Sequence, residues 1–210
     1  MELLRGVHLI ETYANSYLYA DGRLVLIDTS ADGNATDILA YLKAAKVAAK
    51  DLSSIVITHT HPDHVSGVAA VKTAAPSAKV AAHNDDADYV ARTKVYPGPP
   101  GAQKHKAVPV DVRLTDGQTF DGFLVIHAPG HTPGNLALLD RERKVLVAGD
   151  SLRTEGGLAP MSDQYNIDPK AHRASIKKIA TFDFDVLVVG HGKPILKGAG
   201  AQVKALAAKL

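Results

Sequence analysis

The chain contains no cysteine and no tryptophan in 210 residues, and aromatic residues supply only 5% of it. Without cysteine there are no disulfides and no thiolate metal site, so any metal ligation falls to histidine, aspartate and glutamate. A charge excess is also missing. Lys plus Arg number 24 against 22 Asp plus Glu, and a formal charge of +2 with no dense basic block does not imply a nucleic-acid partner. No stretch approaches the roughly 20 apolar residues of a membrane span. Met1 to Ile10 is interrupted by Glu2 and Arg5, where a secretory signal would need an unbroken apolar run of about 7–15 residues. A soluble cytoplasmic protein with no membrane partner is the simplest expectation. The 46% hydrophobic and 22% charged content is that of an ordinary globular chain, and its length fits one domain over residues 1–210.

What is present in excess is polar metal-type chemistry at the ends of apolar segments. Thr58-His59-Thr60-His61-Pro62-Asp63-His64 places three imidazoles and a carboxylate directly after the run Ser54 to Ile57. Three more candidates follow apolar strands and abut glycine: His131 in Gly130-His131-Thr132-Pro133-Gly134, Asp150 in Ala148-Gly149-Asp150, and His191 in Val189-Gly190-His191-Gly192. Loops at one edge of a sheet converge in this way. Imidazole and carboxylate donors suit zinc, iron, nickel or manganese, whereas calcium or magnesium would call for nearly all oxygen. The pattern therefore predicts a transition-metal site. In an extended segment His59 and His61 face the same way, and Pro62 pre-sets a first helical turn that takes Asp63 and His64. Asp28, at the end of the strand Leu24 to Ile27, caps a turn or supports the ligands from behind. His8, His83, His105, His127 and His172 lack clustered partners and read as surface or satisfied core residues. Ser66 and Ser151 lack the base-and-orienter arrangement of a catalytic triad.

The hydropathy pattern predicts two strands over residues 16–28 joined at Ala20-Asp21-Gly22, a helix over Asn34 to Val47, and a buried strand Ser54 to Thr58. A helix from about His64 to Ala75, a strand Lys79 to Ala82 and a short helix Asp85 to Ala91 should follow. Tyr96 to Pro109, rich in proline and glycine, reads as a loop or flap. Strands are expected near 111–114, 118–127, 135–140 and 144–148, then a long loop from Ser151 to Asp168, a helix Pro169 to Ala180, a strand Asp185 to Val189 and a closing helix. Long loops often carry specificity, which makes Tyr96, Arg153 and Tyr165 the candidate substrate contacts.

His59-X-His61-X-Asp63-His64, followed in order by His131, Asp150 and His191 and preceded by Asp28, resembles the motif set of the metallo-β-lactamase fold hydrolases. The likeness runs from about Val7 to Pro194. It implies an α+β fold, an αββα four-layer sandwich with the metal site at one edge between the two sheets. It further implies that His59, His61 and His131 hold one ion, that Asp63, His64 and His191 hold the other, and that Asp150 bridges them. A hydroxide between the ions would be the nucleophile, oriented by Asp63. Two zinc ions per chain are the default by ligand type, with iron or manganese competing according to availability.

The contexts Ala128 to Asn135 and Ala148 to Ser151 are most similar to the glyoxalase II branch, although the helical glutathione-binding domain of those enzymes has no counterpart here. A thioester or ester hydrolase acting on a small-molecule substrate is therefore the leading expectation. A lactonase, or a promiscuous hydrolase with phosphodiesterase and β-lactamase side activity, is the alternative. From other classes, Lys193, Lys197, Lys204 and Lys209 leave open a nucleic-acid processing or binding protein, and His59, His61 and Asp150 an iron-dependent sulfur dioxygenase. A homodimer is compatible with the sequence.

Overall fold

Leu24-Val25-Leu26-Ile27 is apolar throughout and Ser54-Ile55-Val56-Ile57 is so after its first residue; the two runs pair in parallel, and such near-continuous apolar runs suit strands covered on both faces. In the computed structural model, which describes residues 1–98 and 104–210, the chain separates into a unit Met1–Arg113 and a unit Leu114–Leu210. Residues 99–103, inside the expected loop Tyr96 to Pro109, lie outside the described residues; no helix or strand occurs in the described remainder of that loop. Among the described residues no helix is long and apolar enough to cross a membrane.

The first unit carries a sheet in chain order: β1 (Glu2–Leu4), β2 (Val7–Ile10), β3 (Ser16–Ala20), β4 (Leu24–Ile27), β5 (Ser54–Ile57), β6 (Lys79–His83) and β7 (Val112–Leu114). Strands β1 to β4 are antiparallel neighbours, and β4, β5 and β6 run parallel. Ile38 and Leu42 of α1 (Thr36–Ala44), with Val68 and Val71 of a later helix, pack on Leu26, Ile55, Ile57 and Val80. Fully burying an aliphatic side chain of this kind contributes roughly 1.5–3 kcal/mol.

The helix expected from His64 to Ala75 is two helices, α2 (Pro62–Val65) and α3 (Val68–Ala74), and the break has a tertiary cause. The His64 carbonyl, which an unbroken helix would offer to residue 68, accepts instead from the Thr29 amide at 2.7 Å and the Thr29 hydroxyl at 3.0 Å. Gly67 sits at the break because a Cβ there would lie 2.2 Å from the Thr29 carbonyl oxygen. Helix α4 (Asn84–Val90) completes the unit.

The second unit holds β8 (Thr119–Phe120), β9 (Phe123–His127), β10 (Leu136–Asp140), β11 (Val145–Val147) and, after a small hairpin, β14 (Val186–Val188), in the order β14-β11-β10-β9-β8. The single strand expected over 118–127 is therefore a hairpin. Asp121 and Gly122 take φ of 45° and 76°, the double positive pair of a two-residue hairpin turn, and their position inside an apolar run hid an Asp-Gly signal that was legible at Asp21-Gly22. The long segment after Ser151 is likewise partly ordered, with β12 (Leu152–Arg153) pairing β13 (Ala159–Pro160). Helices α5 (Pro169–Ile179) and α6 (Ala199–Ala207) lay Ile176, Ile179 and Val203 on Ile126, Leu139, Leu146 and Leu187.

In the first unit His105 is buried, with Nε2 donating to the Val90 carbonyl at 2.9 Å. Burial, helped by the Arg92 charge, lowers its pKa from the ordinary 6.5. Below that value the unfolded chain takes up a proton that the folded chain resists, so this group subtracts stability as pH falls from 7 towards 5. His105→Gln, which keeps a donor but does not titrate, should flatten the pH dependence of the denaturation midpoint in that window. An unchanged slope would contradict the assignment.

Candidate metal centre

The ligand-type residues singled out by sequence follow strand ends, apart from Asp63 and His64, which lie in α2. Asp28 follows β4, His59 follows β5, His131 follows β9, Asp150 follows β11 and His191 follows β14. In the first unit the parallel register pairs Ile27 with Val56 and so carries Asp28 to the C-terminal end of β5. Asp28, 2% exposed and at φ 60°, a left-handed conformation that aspartate tolerates better than most residues, turns its carboxylate back over the next loop. Its Oδ1 accepts from the Thr58 amide at 2.8 Å, and its Oδ2 from the Thr58 hydroxyl at 2.7 Å and from His64 Nδ1 at 2.8 Å.

That carboxylate decides the tautomers of two histidines. With its hydroxyl proton given to Asp28, Thr58 Oγ1 accepts from His59 Nδ1 at 3.1 Å. His59 and His64 thus both carry their ring proton on Nδ1, and each keeps a lone pair on Nε2. His61 is held the other way. Its Nε2 meets the Tyr96 hydroxyl at 3.0 Å, with the two rings edge to face, so Nδ1 is the ring nitrogen turned away from Tyr96. The His59 ring centroid lies 4.9 Å from that of His61 and 4.1 Å from that of His64, and nitrogens of each pair approach within 4.8 Å. The alternation read from the sequence is therefore realised. Asp63, in the first turn of α2, brings Oδ2 to 4.0 Å from His64 Nε2.

Asp86 is a contributor the sequence did not signal. Fully buried at the start of α4, it accepts from the Thr60 amide at 2.9 Å and so braces the strand-like step between His59 and His61. Tyr96, expected as a substrate contact, is only 5% exposed and faces His61. Burial and the Asp86 charge push its phenol pKa up, so the hydroxyl stays neutral.

In the second unit His131 Nε2 stands 3.4 Å and His191 Nε2 3.3 Å from one oxygen, Oδ2 of buried Asp150. A direct charge-assisted hydrogen bond would close to about 2.7–2.9 Å. Two ligands bound at about 2.0–2.2 Å to a tetrahedral ion stand about 3.4 Å apart. The donor chemistry and the spacing both fit a metal site. Around it, Asn135 donates to the Ala128 carbonyl and to Ser151 Oγ, each at 2.9 Å, which ties the His131 loop to the Asp150 turn. Gly130, at φ 123°, lets that loop meet the first turn of α5, where a Cβ would lie 2.2 Å from the His172 amide nitrogen. His172, read from sequence as an ordinary histidine, is fully buried beside this site, and burial followed by the neighbouring His131 lowers its pKa. Of the candidate substrate contacts, Arg153 donates to the Glu155 carbonyl at 2.5 Å and Tyr165 is 55% exposed.

A family model described as the metallo-beta-lactamase superfamily matches residues 9–191. The Bacillus subtilis protein YobT, itself described as uncharacterized, is 30% identical over 198 residues, covering 85% of this chain and 83% of that protein. A hydroxyacylglutathione hydrolase of Cereibacter sphaeroides is 30% identical over 146 residues, which are 67% of this chain and 48% of the enzyme, so the chain spans about half the length of that relative. Among solved structures, TTHA1623 in a di-iron-bound form is 32% identical with a TM-score of 0.68, over 90% of this chain and 93% of that one.

If Asp28 sets the ring tautomers, Asp28→Asn presents an amide N–H where His64 Nδ1–H needs an acceptor. The ring proton then moves to Nε2 and blocks the ligating atom. Competition against a chromophoric chelator should show metal binding about 10–100-fold weaker, the usual scale for loss of such a support. Unchanged affinity would contradict that role for Asp28.

Proposed function

Because the chain belongs to the metallo-beta-lactamase superfamily and carries its αββα fold, we propose that it is a metal-dependent hydrolase of thioesters or esters, a compact relative of the glyoxalase II enzymes. The observation that carries the metal-dependent part is the placing of His131 Nε2 and His191 Nε2 at ligand spacing from a single Asp150 oxygen. The ligands are assigned as the motif order suggests. On that order His59, His61 and His131 would hold one ion, Asp63, His64 and His191 the other, and Asp150 both. Zinc suits these donors, and the di-iron form of TTHA1623 makes iron the competing choice.

When bound, the ions would lower the pKa of a water towards about 7 and polarise the acyl carbonyl of the substrate. Asp63, whose side chain is 24% exposed, is the protein group that takes the proton of that water and passes it on to the departing thiolate or alkoxide. Water oxygen joins the acyl carbon as the bond from that carbon to sulfur or oxygen breaks. Asp28, Tyr96 and Asp86 do no chemistry in this scheme; they keep the ligand nitrogens pointed. The preference for a thioester rests on the likeness to hydroxyacylglutathione hydrolases, which extends over 67% of this chain. Arg153 and Tyr165, in the segment after Asp150, are the side chains assigned to the substrate.

Metal-analysed protein assayed on an acyl-glutathione thioester, a lactone, a phosphodiester and a β-lactam should give its highest kcat/KM on the thioester. No turnover of thioester or ester by metal-replete protein would reject the reading, and a lactone preference would replace it with the lactonase alternative. Asp150→Ala should lower metal content at both positions together, measured by elemental analysis after dialysis. Undiminished content would contradict the shared-ligand assignment.

A further inference from the structure

Asn166 lies in the segment between β13 and α5, where the backbone runs against the His131 loop. The Ile167 amide donates to the His131 carbonyl at 3.4 Å and the Asp168 amide to the Gly130 carbonyl at 2.9 Å. The Asn166 side chain is thereby brought to three groups of the second unit. Its Nδ2 reaches the Met161 carbonyl at 3.2 Å and His172 Nδ1 at 3.2 Å, and its Oδ1 reaches His131 Nδ1 at 3.0 Å. His172 Nε2 in turn reaches the Asp150 carbonyl at 3.3 Å.

The direction of every bond in this chain follows from its ends. The Met161 carbonyl can only accept, so the amide must turn its NH2 group towards it, and Oδ1 then faces His131. His131 consequently carries its proton on Nδ1 and keeps its lone pair on Nε2, the nitrogen beside Asp150 Oδ2. The second amide hydrogen goes to His172 Nδ1, which obliges the His172 proton to sit on Nε2, where the Asp150 carbonyl receives it. Two histidines of opposite tautomer are set by one primary amide.

We propose that Asn166 is a positioning residue for the metal ligands, fixing His131 as a Nε2 donor through its own Oδ1 and, through His172, anchoring the backbone of Asp150. The proposal rests on the reading of His131 and Asp150 as ligands. It assigns to the segment after Asp150 a duty beyond substrate contact, since Tyr165 and Asn166 are adjacent and one stretch of chain both faces outward and holds the metal donors.

Two measurements test it. Long-range nitrogen–proton NMR of the histidine rings in wild-type holoprotein should show His131 protonated on Nδ1 and His172 on Nε2. The reverse tautomer at either ring overturns the proposal, and this arm needs no variant to fold. Asn166→Leu should weaken metal binding by about 10–100-fold in chelator competition, with Asn166→Asp, which keeps an acceptor for His131, falling between it and wild type. Wild-type affinity in Asn166→Leu overturns the proposal. His131→Ala separates the two levels of inference. If it keeps full metal content the ligand reading itself fails, whereas loss of metal in His131→Ala with wild-type affinity in Asn166→Leu rejects only the role of Asn166.

Discussion

The carboxylate of Asp28, with its three hydrogen bonds to Thr58 and His64, is the interaction on which the histidine cluster of the first unit depends. Leaving any one buried donor without its acceptor would cost roughly 1–3 kcal/mol, and Asp28 answers for three at once. It acts only because β4 and β5 are parallel and in register, so the hydrophobic pairing of Leu26 with Ile55 and Ile27 with Val56 is what delivers the carboxylate to its donors. The neighbouring residue, Thr29, then takes the His64 carbonyl out of its helix. The loop that bears four ligand candidates is thus held by the backbone and side chains of the strand beside it.

The second unit meets the same requirement with different means. Where the first uses a carboxylate and a hydroxyl to hold ring protons on Nδ1, the second uses an amide oxygen. A charged acceptor raises the basicity of the ligand more than a neutral one does. His64 and His131 therefore differ in the basicity of their Nε2 atoms. The part this chain shares with the hydroxyacylglutathione hydrolase is about half of that enzyme.

The ligand types and their strand-end positions were legible in the sequence because both are local: an apolar run fixes where a strand stops, and the next polar residue is exposed to whatever gathers there. The break at Gly67 and the turn at Asp121-Gly122 were not. The first is made by Thr29, 35 positions before the His64 carbonyl it captures, and the second was masked by apolar residues on either side. Asp86, Asn166 and His172 escaped for a related reason. A polar residue on or beside a helix shows no periodic signal of its purpose, and each acquires its role only from a partner 26, 35 and 22 residues distant. Tyr96 was noticed for its loop, yet its position against His61 is a tertiary fact.

The tight turn at Asp121-Gly122 has another effect, on how the protein behaves in a crowd. It leaves β8, only two residues long, as one border of the five-stranded sheet. At the opposite border, Leu187 of β14 is already engaged through both its amide and its carbonyl by Ile195. A sheet polymerises through long unpaired margins, and this one offers neither a template on one side nor a vacancy on the other, so concentrated protein should resist edge-to-edge aggregation through its second sheet.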